Sequence, residues 1–237
     1  MKALVLNSGL GSRMAYYTKD RPKCMAELVN HETIIKRQLR LLREAGVVEV
    51  VITTGPYKEL LKKYVEEVAN GLKVSFVHNS LYESTNYIYS IYLAKDLLQD
   101  DLLLLHGDLV FTKEVLDLVL HEKRSCITVD YSAQLPEKDF KVVLAEGRVK
   151  AIGIEFFDNA VAAQPMYYLE KEVWEKWLKE IIYFCQRKEI KCYAENALNQ
   201  ILDKIELFPI DVQNYLCQEV DNMDDLLCIR NILKRLE

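Results

Sequence analysis

Short apolar stretches alternate with amphipathic stretches through the first half of the chain. The apolar stretches predict strands, and apolar residues at helical spacing predict helices between them. Strands are expected over 2–6, 48–53, 73–77 and 102–105, with helices over 33–44, 57–69 and 86–97. This strand–helix rhythm indicates a mainly parallel sheet covered by helices on both faces. Residues 102–105 are all leucine, as expected of a strand buried on both sides.

The second half of the chain has a different rhythm. Short strands joined by turns are predicted over 126–131, 140–145, 149–154, 208–212 and 215–219, and helices over 113–122, 170–187, 195–204 and 223–236. Glu146-Gly147 suits a hairpin tip. With no linker or repeat in the sequence, we expect one α/β domain over residues 1–237, with an elaboration around 131–205 and a Rossmann-like, mainly parallel mixed sheet flanked by helices.

Composition narrows the classes of protein to consider. Half of the 237 residues are hydrophobic, which supplies a substantial core, and the net charge of −5 argues against a nucleic-acid partner. The six cysteines are scattered without a C-x-x-C pair, which favours reduced thiols over disulfides or a zinc site. No leader pattern and no apolar run near ~20 residues occurs, so we expect a cytoplasmic protein without a membrane partner.

The first predicted strand runs into a loop with the sequence N-S-G-L-G-S-R at residues 7–13, followed by R-P-K at 21–23. Glycines without Cβ atoms let backbone N–H groups surround anionic oxygens. Arg13 and Lys23 would add positive charge to the same pocket. The pattern therefore predicts a phosphate-binding loop.

Two common nucleotide-binding patterns do not fit this loop. A P-loop needs four residues between its glycines and a following Gly-Lys-Ser/Thr. A dinucleotide fingerprint needs a third glycine where Met14 stands, and an acidic residue after a second strand that here ends Thr53-Thr54-Gly55. Considered alone, the loop could also be a glycine-rich turn between a strand and a helix.

The combination G-x-G-S-R, a gap and R-P-K resembles the sugar-phosphate nucleotidylyltransferase superfamily. The resemblance implies the nucleotide-diphospho-sugar transferase type of fold. It also implies that Arg13 binds a triphosphate and that Lys23 contacts the transferring phosphate, both as catalytic residues. Asn7-Ser8 departs from the family, in which two small residues, usually alanines, occupy these positions.

Two aspartates follow short strands farther along the chain. Asp108 ends His106-Gly107-Asp108 after the leucine strand, and Asp221 ends Glu219-Val220-Asp221 before the last helix. The resemblance implies that these two residues are the metal ligands, and carboxylates with phosphate oxygens suit Mg²⁺. Taken singly, Asp108 could be a strand-end turn residue and Asp221 a helix N-cap. His106 is most simply a packed strand-end histidine.

The segment from Asn79 to Ser90 resembles the bacterial phosphocholine cytidylyltransferases, which implies that Asn86 lies near both nucleotide and acceptor. The alternative for Asn86 is a helix cap. Fourteen tyrosines suggest aromatic recognition of an ammonium group. The resemblance implies an aromatic and acidic stretch near the acceptor, which makes Tyr193 and Glu195 the acceptor candidates. Trp174 and Trp177 are more simply core residues.

The resemblance also implies CTP as the nucleotide. The predicted nucleotide-binding residues are Leu6, Asn7, Gly9, Gly11, Ser12, Arg13, Thr54, Gly55 and Asn86, with the base read by backbone groups near Leu6, Asn7 and Thr54-Gly55. The expected activity is Mg²⁺-dependent transfer of CMP from CTP to a small phosphorylated amine, phosphocholine first.

Two alternatives stay open, and so does the oligomeric state. The first is the same transfer to 2-aminoethylphosphonate or another amino-phosphate. The second is a homologue that binds nucleotide without turnover. Elsewhere in the chain, the basic residues 36, 37, 40 and 43 are expected to form a solvated helix face.

Overall fold

A computed structural model describes residues 1–14 and 17–236 of the chain. Its strands are β1 Lys2–Asn7, β2 Glu49–Thr54, β3 Lys73–His78, β4 Leu102–His106, β5 Leu109–Phe111, β6 Cys126–Asp130, β7 Lys141–Ala145, β8 Arg148–Gly153, β9 Ala160–Leu169, β10 Phe208–Asp211 and β11 Cys217–Glu219. Its helices are α1 Ile34–Glu44, α2 Lys58–Val68, α3 Tyr87–Ala94, α4 Lys113–Glu122, α5 Lys171–Gln186, α6 Ala194–Leu198 and α7 Met223–Leu236.

Nine of the described strands form one mixed sheet in the order β10-β6-β9-β4-β1-β2-β3, with the β7–β8 hairpin beside β9. Strands β4, β1, β2 and β3 are mutually parallel, and β9 runs antiparallel to both β4 and β6. Glu146 and Gly147, both with positive φ, turn the β7–β8 hairpin as predicted. The expected fold class, a mainly parallel mixed sheet flanked by helices, is confirmed.

The core lies on both faces of the sheet, because successive side chains of a strand point to opposite sides. In β1, Leu4 packs into the cluster that holds α3 and α5, whereas Ala3 and Val5 pack into the cluster of α1, α2 and α4. Trp174 and Trp177 of α5 are fully buried in the first cluster, which confirms the interpretation of both as core residues.

The longest strand, β9, is absent from the sequence-based prediction. Its sequence AVAAQPMYYL contains Pro165, which has no N–H and normally argues against an interior strand. The β6–β9 register shifts between Ile127 and Val129, opposite this proline, and the β4–β9 pairing ends at Met166. Pro165 therefore sits at an irregularity where its missing N–H is tolerated.

Several boundaries also differ from the prediction. The helix expected over 195–204 is only the five-residue α6, followed by turns. The short β5, which was not predicted, pairs antiparallel with β11 and holds the chain after Asp108 beside the chain before Asp221. Helix α3 begins at Tyr87, one residue after the predicted start at residue 86, and is capped by Asn86.

The expectation of a solvated basic face on α1 is wrong for Arg37. This side chain is buried, donates to the backbone oxygen of Phe111 at 3.1 Å and pairs with Glu32 at 3.1 Å. A buried guanidinium needs such partners because desolvating a charge is costly. Within the described ranges, none of the helices has the length and apolar character needed to cross a bilayer.

Candidate functional site

The carboxyl ends of β1, β2 and β4 meet at one edge of the sheet. Leu6 is in register with His106, and Asn7 with Thr54. Ligands of open α/β sheets bind at this edge. The glycine loop and Gly107-Asp108 together enclose a cavity of about 280 Å³ there, lined by Leu6, Asn7, Gly9, Leu10, Gly11, Arg13, Pro22, Lys23, Gly107 and Asp108.

Local geometry shapes the glycine loop. Gly11 has φ +63°, a left-handed conformation that favours glycine, and its oxygen accepts from Met14 N at 2.9 Å and from Thr18 Oγ1 at 3.1 Å. The backbone of 12–14 forms a single 3-10 turn that carries Arg13 to the cavity. The predicted residues Leu6, Asn7, Gly9 and Gly11 all line this cavity; the Ser12 side chain lies outside the described part of the structure.

Lys23 joins the two predicted metal ligands. Its Nζ donates to Asp108 Oδ2 at 2.6 Å and to Asp221 Oδ1 at 2.9 Å. Burial opposes the ammonium charge, but the two carboxylates outweigh it, so the pKa of Lys23 is raised. Burial likewise opposes ionisation of Asp108, yet Lys23 and His106 hold the pKa of that carboxyl below its usual value. The structure thus brings together three residues that lie far apart in sequence.

Arg13 reaches the same acid from the solvent side. Its Nη2 donates to Asp221 Oδ1 at 2.6 Å, and its Nη1 lies 3.8 Å from Asp139 Oδ1. The Arg13 side chain is 58% exposed, so an anionic ligand can replace these carboxylates as its partner. Burial and the neighbouring Asp221 raise the pKa of Asp139.

The side chain of Asp221 does not cap α7. Asn222 Oδ1 accepts from the backbone N–H groups of Asp224 and Asp225 at 2.8 and 3.0 Å, so Asn222 fills that position. Asp225 accepts from the backbone N–H of Asp221 at 2.8 Å. The Asp221 carboxylate is therefore left to face Lys23 and Arg13, and the N-cap alternative does not hold.

A second cavity of about 250 Å³ adjoins the first and shares Leu6, Gly9, Arg13 and Asp108 as walls. One side is aromatic: the Tyr193 ring centroid lies 5.8 Å from that of Tyr87 and 4.9 Å from that of Phe140. The other walls carry four carboxylates, Asp108, Asp139, Glu219 and Asp221, with His106, Arg13 and Lys138 among them. This cavity combines aromatic faces with negative charge, a set that suits an ammonium group.

Asn86 and Tyr193 both line this second cavity. Asn86 Oδ1 accepts from Tyr87 N at 2.7 Å, so the residue is the helix cap that the sequence left as an alternative, and it caps α3 at the cavity wall. The backbone N–H of Asn86 also donates to Ile190 O at 2.8 Å, which fixes the helix start against the chain that leads to Tyr193.

Glu195 does not occupy the place expected of an acceptor-binding residue. Its side chain is 1% exposed, and among the described residues it is not part of either cavity wall. Its carboxylate accepts from Tyr167 OH at 2.9 Å and closely from Tyr87 OH. This geometry disagrees with the expected direct contact between Glu195 and an acceptor. The Glu195 carboxylate instead accepts from the Tyr87 hydroxyl and so fixes the position of the Tyr87 ring.

Thr54 and Gly55 lie behind the glycine loop. A Cβ at Gly55 would stand 2.2 Å from the backbone oxygen of Ser8, so glycine is required for the loop to pack there. Thr54 is buried, its hydroxyl lies 3.3 Å from His78 Nδ1 and its carbonyl accepts from Asn79 N. Among the described residues, neither Thr54 nor Gly55 lines either of the two cavities. The expected contact of this turn with a base therefore stays a prediction.

Sequence reasoning missed the pair formed by His106 and Glu219, which both line the second cavity. His106 Nδ1 lies 2.8 Å from Glu219 Oε1, whereas His106 was expected only to pack at the strand end. With Asp108 they place ligand atoms within 4.8 Å of one another. The sequence does show an acidic residue, Glu219, two positions before Asp221. Its partner His106 could not be identified from the sequence, because the β5–β11 pairing brings the two residues together.

A sequence model of the MobA-like NTP transferase domain matches residues 3–181, about three quarters of the chain. The chain belongs to this family. It is a nucleotidyltransferase, and the cavities described above lie where enzymes of open α/β topology bind their ligands.

Several curated relatives of this nucleotidyltransferase are cytidylyltransferases. The Campylobacter jejuni CTP:phosphoglutamine cytidylyltransferase is 32% identical over 56% of this chain, which spans about half (53%) of that relative's length. Choline-phosphate cytidylyltransferase of Streptococcus pneumoniae is 24% identical over 99% of both chains, and that of Haemophilus influenzae 25% identical over 100% of this chain and 97% of the relative.

Solved structures share the fold. The CTP:phosphocholine cytidylyltransferase of Streptococcus pneumoniae superposes with a TM-score of 0.78 at 20% identity, covering 98% of both chains. The inositol-1-phosphate CTP transferase of T. maritima gives a TM-score of 0.80 at 24% identity, covering 99% of this chain and 95% of that one.

Proposed function

We propose that this nucleotidyltransferase acts as one domain over residues 1–237 and transfers CMP from CTP to a small phosphorylated amine. Phosphocholine is the first choice of acceptor, with CDP-choline and pyrophosphate as products. The observation that carries the proposal is the pair of adjoining cavities, which share Arg13 and Asp108 in their walls. One cavity is cationic and loop-lined, as a triphosphate requires, and the other is aromatic and acidic, as an ammonium group requires.

The reaction needs only positioning and charge neutralisation. A phosphate oxygen of the acceptor attacks the α-phosphorus of CTP, the bond to the β-phosphate oxygen breaks, and pyrophosphate carries away the electron pair. Arg13 and Lys23 reduce the repulsion between the attacking and the attacked anions. The raised pKa of Lys23 keeps its ammonium charged throughout the neutral range.

Asp108 and Asp221 are the proposed Mg²⁺ ligands. Both carboxylates approach a single point, as their shared contact with Lys23 Nζ shows, and oxygen donors of this kind suit a hard divalent ion. When bound, Mg²⁺ would supply further positive charge at the phosphates. Lys23 contacts one oxygen of each carboxylate, so the second oxygen of each could bind the ion while Lys23 keeps its position.

CTP as the nucleotide is supported by the relatives rather than by a side chain in the cavity. The choline-phosphate and phosphoglutamine enzymes are both named as cytidylyltransferases. In this chain the backbone near Leu6 and Asn7 lines the first cavity, and we propose that it reads the base.

The second cavity also supports another acceptor class. Asp139, Glu219 and Asp221 could pair with a primary ammonium group, which is smaller and more strongly hydrated than choline. A Streptomyces rubellomurinus CMP-5'-(3-aminopropyl)phosphonate synthase is 34% identical over 49% of this chain, although the match covers only 18% of that relative. Transfer to an aminoalkylphosphonate or an amino-phosphate is therefore the second candidate.

Pyrophosphate release tests the proposal. The purified chain is assayed with CTP, UTP, ATP and dTTP, each against phosphocholine, phosphoethanolamine, 2-aminoethylphosphonate and glucose 1-phosphate, with and without Mg²⁺. We expect release only with CTP, Mg²⁺ and an amine acceptor. Preference for phosphocholine supports the first acceptor and preference for a primary amine supports the second. Nucleotide binding without release from any pair would leave a binding protein that does not turn over.

A further inference from the structure

Asn7 carries an amide that the fold does not use. The residue is only 8% exposed, and its Nδ2 is buried without a hydrogen-bond partner in the described residues 1–14 and 17–236. A buried donor without a partner costs folding free energy, because it has lost its hydrogen bonds to water. A native fold that keeps such a group gives reason to look for a ligand.

The Asn7 side chain lies directly against Gly107. A Cβ built on Gly107 would stand 2.0 Å from Asn7 Oδ1, so the amide occupies the space that any other residue at 107 would need. The next residue is Asp108, and Asn7 shares the wall of the first cavity with Asp108, Lys23 and Arg13. The amide is thus held beside the charged groups of the proposed reaction.

The neighbouring Ser8 is different, because its hydroxyl has a hydrogen-bond partner within the fold. Ser8 Oγ lies 2.7 Å from Ser90 Oγ, which also accepts from Asn79 Nδ2 at 3.0 Å. This network ties the loop to α3 and explains Ser8 as a packing residue. Of the two positions that depart from the family's small residues, only Asn7 is left with a free donor.

We propose that Asn7 Nδ2 donates a hydrogen bond to a non-bridging oxygen of the nucleotide's transferring phosphoryl group. The inference rests on the proposed function, since it takes the first cavity as the phosphate site. A neutral amide suits this position because it adds a hydrogen-bond donor for the anion without adding another charge beside Asp108. Asn7 is then a binding residue that acts through its side chain, beyond the backbone contacts expected of the loop.

Two measurements on Asn7→Ala and Ser8→Ala test the proposal. Calorimetry measures binding of CTP, CMP and cytidine in EDTA and then with Mg²⁺, and thermal unfolding is recorded without ligand. We expect Asn7→Ala to weaken CTP and CMP binding about tenfold or more, since hydrogen bonds to charged groups are strong, and to leave cytidine binding unchanged. Its unfolding midpoint should stay level or rise. Ser8→Ala, the matched control, loses a satisfied bond and should unfold at a lower temperature.

The outcomes separate this inference from the proposed function. If the wild-type chain binds none of the nucleotides, both fail. If it binds CTP and Asn7→Ala binds equally well, the inference is overturned and the function stands. An equal loss of cytidine affinity would place the amide on the base or ribose and overturn the phosphate contact. A fall in the unfolding midpoint like that of Ser8→Ala, without a change in affinity, would assign Asn7 a purely structural role.

Discussion

His106 Nδ1, at the end of β4, lies 2.8 Å from Glu219 Oε1, at the end of β11, and both side chains are mostly buried. Burial opposes the imidazolium charge, but Glu219 and Asp108 outweigh it and raise the pKa of His106 to about 9. Burial and Asp108 raise the pKa of Glu219 to about 7. The pair therefore holds more protons in the folded chain than in the unfolded chain across the neutral range.

Stability should consequently fall with rising pH through this pair. A group that binds a proton more tightly when folded stabilises the fold fully below its unfolded pKa and loses that contribution as pH passes its folded pKa. For Glu219 the loss runs from about pH 4.5 to 7, and for His106 from about 6.5 to 9. Urea unfolding of the wild type and Glu219→Gln at pH 6 and pH 9 measures it.

We expect the free energy of unfolding to fall less between these two pH values in Glu219→Gln than in the wild type. Glu66→Gln, on the exposed face of α2, is the matched control and should follow the wild type. An identical pH dependence in all three proteins would show that the pair does not titrate in this window.

Replacing Lys23 with methionine should strongly lower kcat while keeping most of the side-chain volume. The change deletes the charge that faces Asp108 and Asp221, and the loss of one preorganised charged donor costs about 10²–10³-fold in kcat. Steady-state pyrophosphate release measures it. Lys62→Met, on the exposed side of α2, should retain the wild-type rate. A normal kcat in Lys23→Met would remove this residue from the mechanism.

Glu195→Gln should affect the acceptor more than the nucleotide. The charged carboxylate behind Tyr87 is replaced by an amide that cannot accept from both tyrosine hydroxyls as strongly, so the Tyr87 ring is held less firmly. We expect KM for the acceptor to rise about tenfold with kcat and KM for CTP nearly unchanged.

Tyr167→Phe provides the comparison for Glu195→Gln, because it removes the other hydroxyl and keeps the bond from Tyr87 to Glu195. The KM for the acceptor should rise less in Tyr167→Phe than in Glu195→Gln. Equal rises in the KM of CTP and of acceptor in Glu195→Gln would indicate general loosening of the fold, against a role in positioning Tyr87.

Tyr193→Leu should discriminate between the two acceptor classes. An aromatic face contributes about 1–2 kcal/mol to binding a desolvated quaternary ammonium, so KM for phosphocholine should rise about 5- to 30-fold. A primary ammonium that pairs with carboxylates should lose less. Tyr183→Leu, half-exposed on α5, is the control. If neither acceptor is affected, the aromatic wall is not the ammonium site.

Trp177→Phe should destabilise the fold beneath the second cavity. Trp177 Nε1 donates to the backbone oxygen of Ala194 at 2.9 Å, and its ring packs 5.5 Å from that of Tyr167. Losing the buried donor and part of the ring should cost about 2–3 kcal/mol in the free energy of unfolding, measured with urea. Tyr183→Phe at the exposed surface should cost little, and an equal loss in both would contradict this account.

The sequence predicted the parallel half of the fold because its signals are local. Residues 102–105 are uniformly apolar, and Gly46 follows the last turn of α1. β9 could not be found in this way, since Pro165 is tolerated only at a register shift that depends on β6. Glu195 was placed at the acceptor by its neighbourhood in sequence, whereas its burial depends on Tyr87 and Tyr167, which are distant in sequence.

The position of β9 has a consequence for the order in which the chain acquires its structure during synthesis. The parallel strands β1, β2 and β3 are complete by residue 78, and β4 joins β1 by residue 106. The other edge of β4, however, has its partner only once residues 160–169 leave the ribosome. Until then a leucine-rich strand presents an unpaired edge, and such edges recruit other chains. Nascent chains whose emerged part ends between residues 106 and 160 should therefore be the ones that aggregate or require chaperones.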